Sequence, residues 1–383
     1  MASNPVYLDF NASSPPAPEV IEAMLPWLSE WHANPHSEHF HGHRAAVAVE
    51  QAKASIADLI GADGDDIVLT SSATESNNLA LLGYLRHRKD TGGLVHSAIE
   101  HKCVIEAGRA LREEGCAVTV VGTDRLGRIS PQAIRELREA TGRRDVLVSI
   151  MHANNEIGTI APLPQIAGAL ETRAILHTDA AQSAGRIPFD VNELQVDVVT
   201  LSSHKIGGPS GIAALYIAPY LRSEYRPILY GGGQQGGLRP GTIPVFLAVG
   251  YGVACSLAQK KLATDATYAE RLATHFTNIL DARGVAFERL GDQESTLPGL
   301  RSLRLLGLDA RDVLDRVHGV LSASTGSACT SGEIAASHVL RAIGLSQDEA
   351  SGVLRVGFGG QTTMSEVTIA AQNLADACIA SVT

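Results

Sequence analysis

The chain has 383 residues, 45% hydrophobic and 19% charged, which is enough apolar material for a large core and argues against disorder. A formal charge of −10 argues against a broad phosphate-binding surface, so direct nucleic-acid binding is not expected, and no apolar run is long enough to span a bilayer. Five scattered cysteines without a C-x-x-C pair read as reduced thiols, and the opening Met-Ala-Ser-Asn-Pro has no secretory pattern, so a cytoplasmic protein is expected.

In chain order, Val6–Phe10 reads as a short strand, Glu19–Trp31 as a helix, His32–His43 as a His-rich loop and Ala45–Ile60 as a helix. Strands and helices then alternate: strand Ile67–Thr70, helix Glu75–Arg88, strand Leu94–Ala98, helix Lys102–Glu114, strand Ala117–Val121. Ser130-Pro131 opens the next helix, with serine as cap and proline in the first turn. Val146–Met151, Ala174–His177, Val196–Leu201 and Ile212–Ile217 are apolar runs that read as buried strands. This alternation predicts an α/β fold with a mostly parallel sheet flanked by helices. Pro244–Arg283 is one long helical stretch, after which the pattern becomes less regular and suggests a smaller α+β domain. The expected division is a large domain over 16–255 and a small one made of 1–15 and 256–383.

Polar clusters fall at the carboxyl ends of the predicted strands, where open parallel sheets bind ligands. Lys205, in Ser203-His204-Lys205, sits at the mouth of a buried strand, where a poorly solvated amine can form a Schiff base with a carbonyl. Asp179 ends another strand and is placed to face a pyridinium nitrogen. The plain alternatives are a solvated lysine and a helix cap. Ser71–Asn78 opens a helix and offers backbone N–H groups to an anion, or serves as an ordinary cap. His101 suits ring stacking and proton transfer, or a capping role. Asn154 suits amide donation to an oxygen, or a turn. Gln182, three residues beyond Asp179, reaches toward the same place. Gly231–Thr242 reads as a structureless glycine-rich loop carrying Gln, Arg and Thr, fit to meet a phosphate or a second subunit. Cys329 lies among Gly, Ser, Ala and Thr in Gly326–Gly332, a setting for a reactive rather than a packed thiol.

Together these motifs resemble the cysteine desulfurases of the NifS/IscS type, class V pyridoxal-phosphate (PLP) enzymes, over essentially the whole chain. The resemblance rests on Tyr7–Ala12, Asn34–Gly42, Ala73–Asn78, Glu100–Lys102, Asn154–Thr159, His177–Gln182, Ser203–Lys205 and Gly326–Gly332. It implies the fold type I PLP transferase architecture, with a sheet of the seven-stranded kind. It implies that Lys205 bonds the cofactor and moves the substrate α-proton, Asp179 pairs with the ring nitrogen, His101 stacks and joins acid–base steps, and Gln182 bonds the ring oxygen. Ala73, Thr74, Ser202 and His204 would hold the phosphate, joined by Thr242 across a homodimer. Asn154, which also lies at the cofactor, and Arg355 would hold the substrate carboxylate. Cys329 would take sulfur from L-cysteine as a persulfide, leave alanine, and pass the sulfur to a protein acceptor in an iron–sulfur, tRNA-thiolation or DNA-phosphorothioation type of pathway. A selenocysteine lyase, another class V PLP enzyme and a sulfur-transfer scaffold without turnover are the alternatives. The chain departs from the family pattern at Ser72 (usually glycine), Gln235 (usually glutamate) and around Gly360 (usually arginine). The histidines between His32 and His43 lack the pair spacing of zinc sites, and no metal is expected.

Overall fold

The computed structural model describes residues 4–171, 174–325 and 336–381. Its strands, in chain order, are β1 Val6–Tyr7, β2 Ile67–Thr70, β3 Gly92–Ser97, β4 Ala117–Val121, β5 Asp145–Ser149, β6 Ile175–Asp179, β7 Val198–Ser202, β8 Ala213–Ile217, β9 Phe287–Arg289, β10 Leu300–Leu305, β11 Leu321–Ser322, β12 Ser324–Thr325 and β13 Val353–Gly357. Seven of them form one sheet in the order β2-β8-β7-β6-β5-β3-β4. Only β8 runs against its neighbours, β2 and β7. Strands β2, β3, β6, β7 and β8 are buried along their whole length, which is why their sequences are continuous apolar runs rather than alternating ones. The chain leaves β3 toward β4 on one side and returns to β5 on the other. That reversal of winding places a crevice at the carboxyl ends of β3 and β5, with β6 and β7 beside them.

A second, antiparallel sheet has the order β12-β13-β10-β9, and β1 pairs in parallel with β11. Two large apolar cores result. Helix Val245–Ala282 joins them: Val245, Ala248, Tyr251 and Cys255 pack under the large sheet, and Leu272, Ala273, Phe276 and Leu280 pack with Leu303, Val356 and Val367 under the small one. Leu8, near the start of the chain, belongs to the second core. Helix starts follow local chemistry. Ser130 accepts from Ala133 N at 3.3 Å with Pro131 in the first turn, and Thr363 and Glu366 form a capping box.

Strands β2 and β4 match their predicted limits, and the other strands of the large sheet agree within two or three residues. Two expectations change. The His-rich stretch is not all loop: a helix starts at Phe40, and His39 caps it by accepting from Gly42 N through Nδ1 at 3.2 Å, so His41 and His43 are helical. The glycine-rich segment is not structureless either, since Gln234–Gly237 forms a short 3-10 turn. A short helix, His338–Ala342, follows residues 326–335, which include Cys329 and lie outside the described residues.

Phe276 has no exposed surface and packs edge-on against Phe358, ring centroids 5.6 Å apart. Phe276→Ala is expected to lower stability by about 3–5 kcal/mol. Denaturant unfolding followed by tryptophan-independent circular dichroism measures this, and a loss below about 1 kcal/mol would show that this contact does not hold the second core.

Candidate active site

The crevice collects groups from the ends of four strands. Lys205 follows β7 on a 3-10 turn, and its Nζ donates to the backbone oxygens of Asn11 at 2.7 Å and Ala12 at 2.8 Å. No carboxylate among the described residues pairs with it. Burial, with Arg186 and Arg355 nearby, pushes its pKa down to about 8, against the opposing pull of Asp179 and Asp9. Asp179, the last residue of β6, is buried. Its Oδ2 accepts from Asn77 Nδ2 at 2.7 Å and its Oδ1 from Ala181 N at 2.9 Å.

His101 follows β3 and caps helix Lys102–Glu113. His101 is exposed over part of its surface, yet the protein around its ring lowers its pKa. Lys205 and Lys102 lower it further, and Asp179 opposes them. Its neighbour Glu100 is fully buried and pushed up to about 8 by burial, so it is largely protonated at neutral pH. The Glu100 carboxyl accepts from Ser97 Oγ at 2.5 Å and Met151 N at 2.8 Å, which ties the ends of β3 and β5 together.

Gln182 is buried and locked to the N-terminal segment. Its Nε2 donates to Asn11 O at 2.9 Å, and its Oε1 accepts from Asn11 Nδ2 at 3.1 Å. His204 Nδ1 lies 3.2 Å from Ser13 Oγ. Burial, Lys205 and Arg186 hold its pKa down near about 4, so it is neutral. Ser202 is the buried last residue of β7. Ala73 and Thr74 are the first residues of helix Ala73–Leu85, a helix start with Ser72 as cap. In that cap position Ser72 accepts from Glu75 N at 3.3 Å, which a glycine could not do through a side chain. Arg355, in β13, pairs with Asp9 Oδ1 at 2.7 Å and Asn155 O at 2.9 Å, while its buried Nε makes no bond to described residues.

Asn154 sits differently from what its expected role implies. It is fully buried. Its Oδ1 accepts from Glu156 N and Ile157 N at 2.9 and 3.0 Å, and its Nδ2 donates to Ile99 O at 2.9 Å. The turn-forming reading is the one its bonds express here. Thr242 is exposed at the end of the glycine-rich segment. That segment is docked by two contacts. Arg239 pairs with Glu75 at 2.8 Å, which with the Ser71 amide holds Glu75 below its usual range despite burial. Gln235, in a left-handed conformation, brackets Leu69 of the edge strand β2, accepting from its N at 2.7 Å and donating to its O at 2.8 Å. This explains the departure at 235, because a glutamate has no donor for Leu69 O.

Several participants carried no signal of their own in the sequence. Asn11, Asp9, Asn77, Cys103 and Arg186 make site contacts across up to 346 positions of chain. Only the motifs around some of them hinted at it. A cavity of about 510 Å³ abuts Lys205 and Arg186 but not His101, Asp179 or Gln182, so it is not the space where those groups meet. Gly360 lines it, and a Cβ there would stand 3.5 Å from the Asp265 carboxylate.

The profile of the aminotransferase class-V family matches residues 6–369. The chain belongs to that family. This class-V chain is 39% identical to the cysteine desulfurase of Mus musculus over 96% of its own length and 80% of the relative's. It is 38% identical to cysteine desulfurase IscS of Rickettsia typhi, over 96% of this chain and 89% of that one. Among solved structures, a NifS-like protein superposes with a TM-score of 0.90 at 30% identity, covering 99% of this chain and 100% of the other. SspA in complex with cysteine gives 0.81 at 36% identity, covering 94% and 100%. These likenesses support the fold type I architecture that the sequence motifs implied.

Gln235→Glu is expected to lower the melting temperature relative to wild type at pH 8, because the carboxylate meets Leu69 O without a donor. Facing that oxygen raises the folded-state pKa of the new carboxyl. The deficit is therefore full above the folded pKa and shrinks as pH falls through it, when the protonated acid regains an O–H donor. Paired thermal melts at pH 8 and pH 5 check this, and a deficit that does not change with pH would refute the account.

Proposed function

We propose that this protein is a cysteine desulfurase that uses pyridoxal 5'-phosphate to remove sulfur from L-cysteine, giving L-alanine and a persulfide on Cys329. The observation that carries the reading is the juxtaposition of an amine with a lowered pKa, Lys205, with a buried carboxylate, Asp179, at strand ends of a class-V chain. Relatives named cysteine desulfurase and a solved neighbour in complex with cysteine support the substrate.

The residues present suit the cofactor. Lys205 is held on two carbonyl oxygens and keeps a large free-base fraction near pH 8. Asp179, bonded only by donors, stands ready to accept from a ring N–H. The helix start at Ala73 and Thr74, with Ser202 and His204, would hold the phosphate, and Gln182 the ring oxygen. The cofactor, when bound, supplies an electron sink for charge developing at the substrate α-carbon. Lys205 takes the α-proton as the free amine and returns it as the ammonium. Arg355 holds the substrate carboxylate with its unpartnered Nε, and Asn154 stabilises the turn beside it. Cys329 Sγ forms a bond to the substrate sulfur as the carbon–sulfur bond breaks. The carbon keeps that electron pair and gains a proton as alanine. The persulfide then goes to a protein acceptor.

The exposed Thr242, together with Ile21, Leu25 and Leu28 exposed along one face of helix Pro18–Ser29, supports a homodimer in which Thr242 completes the partner's phosphate site. The two cores shared by helix Val245–Ala282 support a division near residue 255, with residues 1–15 joining the smaller part. Four described cysteines are free, which supports a reducing, cytoplasmic compartment. No helix among the described residues is long and apolar enough to cross a membrane.

With L-cysteine and a reductant, wild type is expected to release alanine and sulfide. Cys329→Ala should keep bound cofactor but lose at least about 100-fold in both products, in the range for removing an activated nucleophile. Lys205→Ala should lose the visible absorbance of lysine-bound cofactor. Full sulfide release by Cys329→Ala would overturn the persulfide role.

A further inference from the structure

Between Asp179 and His101 lies a buried chain of contacts that the reaction scheme does not use. Asn77 Nδ2 lies 2.7 Å from Asp179 Oδ2 and 3.1 Å from Cys103 Sγ. Cys103 Sγ lies 2.9 Å from His101 Nδ1, and Cys103 N lies 3.3 Å from the same nitrogen. Thr74 also hydrogen-bonds the thiol.

The donor inventory fixes every orientation in this chain. A carboxylate only accepts, so the Asn77 amide must turn its NH₂ toward Asp179. The second hydrogen of that NH₂ then points at Cys103 Sγ, which accepts it. A backbone N–H only donates, so His101 Nδ1 must be the acceptor for Cys103 N. An Nδ1 that accepts carries no proton, and the thiol S–H is free to donate to it as well. Burial and the nearby Asp179 push the Cys103 thiol up to about 12, so the S–H keeps its hydrogen. The neutral imidazole therefore carries its proton on Nε2, which makes no hydrogen bond to any described residue. Asn77 and Cys103 are both buried, and Asn77 Oδ1 is without a partner, so the pair is held by its donors alone.

We propose that Asn77 and Cys103 are positioning residues that hold His101 in the Nε2–H tautomer, so that this histidine offers a hydrogen-bond donor to the crevice while Lys205 alone acts there as base. The proposal deepens the desulfurase reading and rests on it for the meaning of the crevice. It narrows the role implied for His101, because an imidazole in this state has no free lone pair on Nε2 to take a proton. It also accounts for a cysteine at 103, where the side chain must both accept from Asn77 and Thr74 and donate to His101. An alanine could do neither.

The test is nitrogen-15 NMR of the histidine rings, with the His101 signals assigned by their loss in His101→Gln. Wild type is expected to show a protonated Nε2 and an unprotonated Nδ1. In Cys103→Ala the backbone N–H at 103 still donates to Nδ1, so the tautomer should persist, while the His101 pKa should rise by about half a unit to one unit, because the S–H bond that favoured the neutral ring is gone. The acid limb of kcat/KM against pH should move up by the same amount, and Cys103→Ser, which keeps a donor and an acceptor, should restore both. A protonated Nδ1 in wild type overturns the proposal whatever the variants do, so a misfolded variant cannot shelter it. An unchanged His101 pKa in a folded Cys103→Ala also overturns it. The ring signals need no turnover, so a protein without activity on L-cysteine would sink the desulfurase reading and leave this one standing or falling on its own spectrum.

Discussion

The site depends on one short piece of backbone, Asp9 to Ala12. The carbonyl of Asn11 receives Lys205 Nζ and Gln182 Nε2, and that of Ala12 receives Lys205 as well. The carbonyl of Phe10 receives Arg186, which also bonds Lys205 O. Asp9 binds Arg355 through one oxygen and Ser324 through the other. The large sheet supplies Lys205, Gln182 and Arg186, and the small sheet supplies Arg355 and Ser324. An N-terminal segment that belongs to neither end of the large sheet thus joins the groups of both. Breaking a largely buried pair such as Asp9–Arg355 on one side costs about 3–5 kcal/mol, so this junction is stiff.

That stiffness has an electrostatic consequence. Lys205, Arg186 and Arg355 are close enough for each arginine to depress the lysine, and Arg355 together with burial brings Arg186 down to about 10. Carbonyl oxygens rather than carboxylates hold the lysine, so its amine is bonded without being locked in the charged form. A local excess of positive charge inside a protein of net charge −10 also draws anionic groups, such as a phosphate or an amino-acid carboxylate, into the crevice rather than onto the surface.

Much of this was legible in the chain itself. Buried strands such as β2 and β7 stand out because turn residues bound them and they must be apolar or β-branched, and Lys205 and Asp179 stand out as polar residues at strand ends. Local caps were legible too, as at Ser130. What could not be read were partnerships across the fold. Asn11 meets Gln182 and Lys205 at separations of 171 and 194 residues, and nothing in the spacing of either announces the other. Cys103 looked like any helix cysteine, and its contacts with His101 and Asn77 follow only from the stacking of β3 beside the start of helix Ala73–Leu85. Asn154 had two readings of equal chemical sense, and its bonds to Ile99 O and Glu156 N, which express the turn-forming one, could not be read from the spacing. The loop expectation at His41 and His43 failed because the His39 ring accepts from Gly42 N and so caps a helix that begins at Phe40, inside the His-rich stretch.

The most direct measurement is peptide mass spectrometry of the purified protein after brief exposure to L-cysteine without reductant, with Cys329 mapped. The account predicts that the peptide holding Cys329 gains one sulfur atom, that the gain is reversed by a thiol reductant, and that alanine appears in equal amount. Alanine formed with the added sulfur on another cysteine, or with none on the protein, would contradict it.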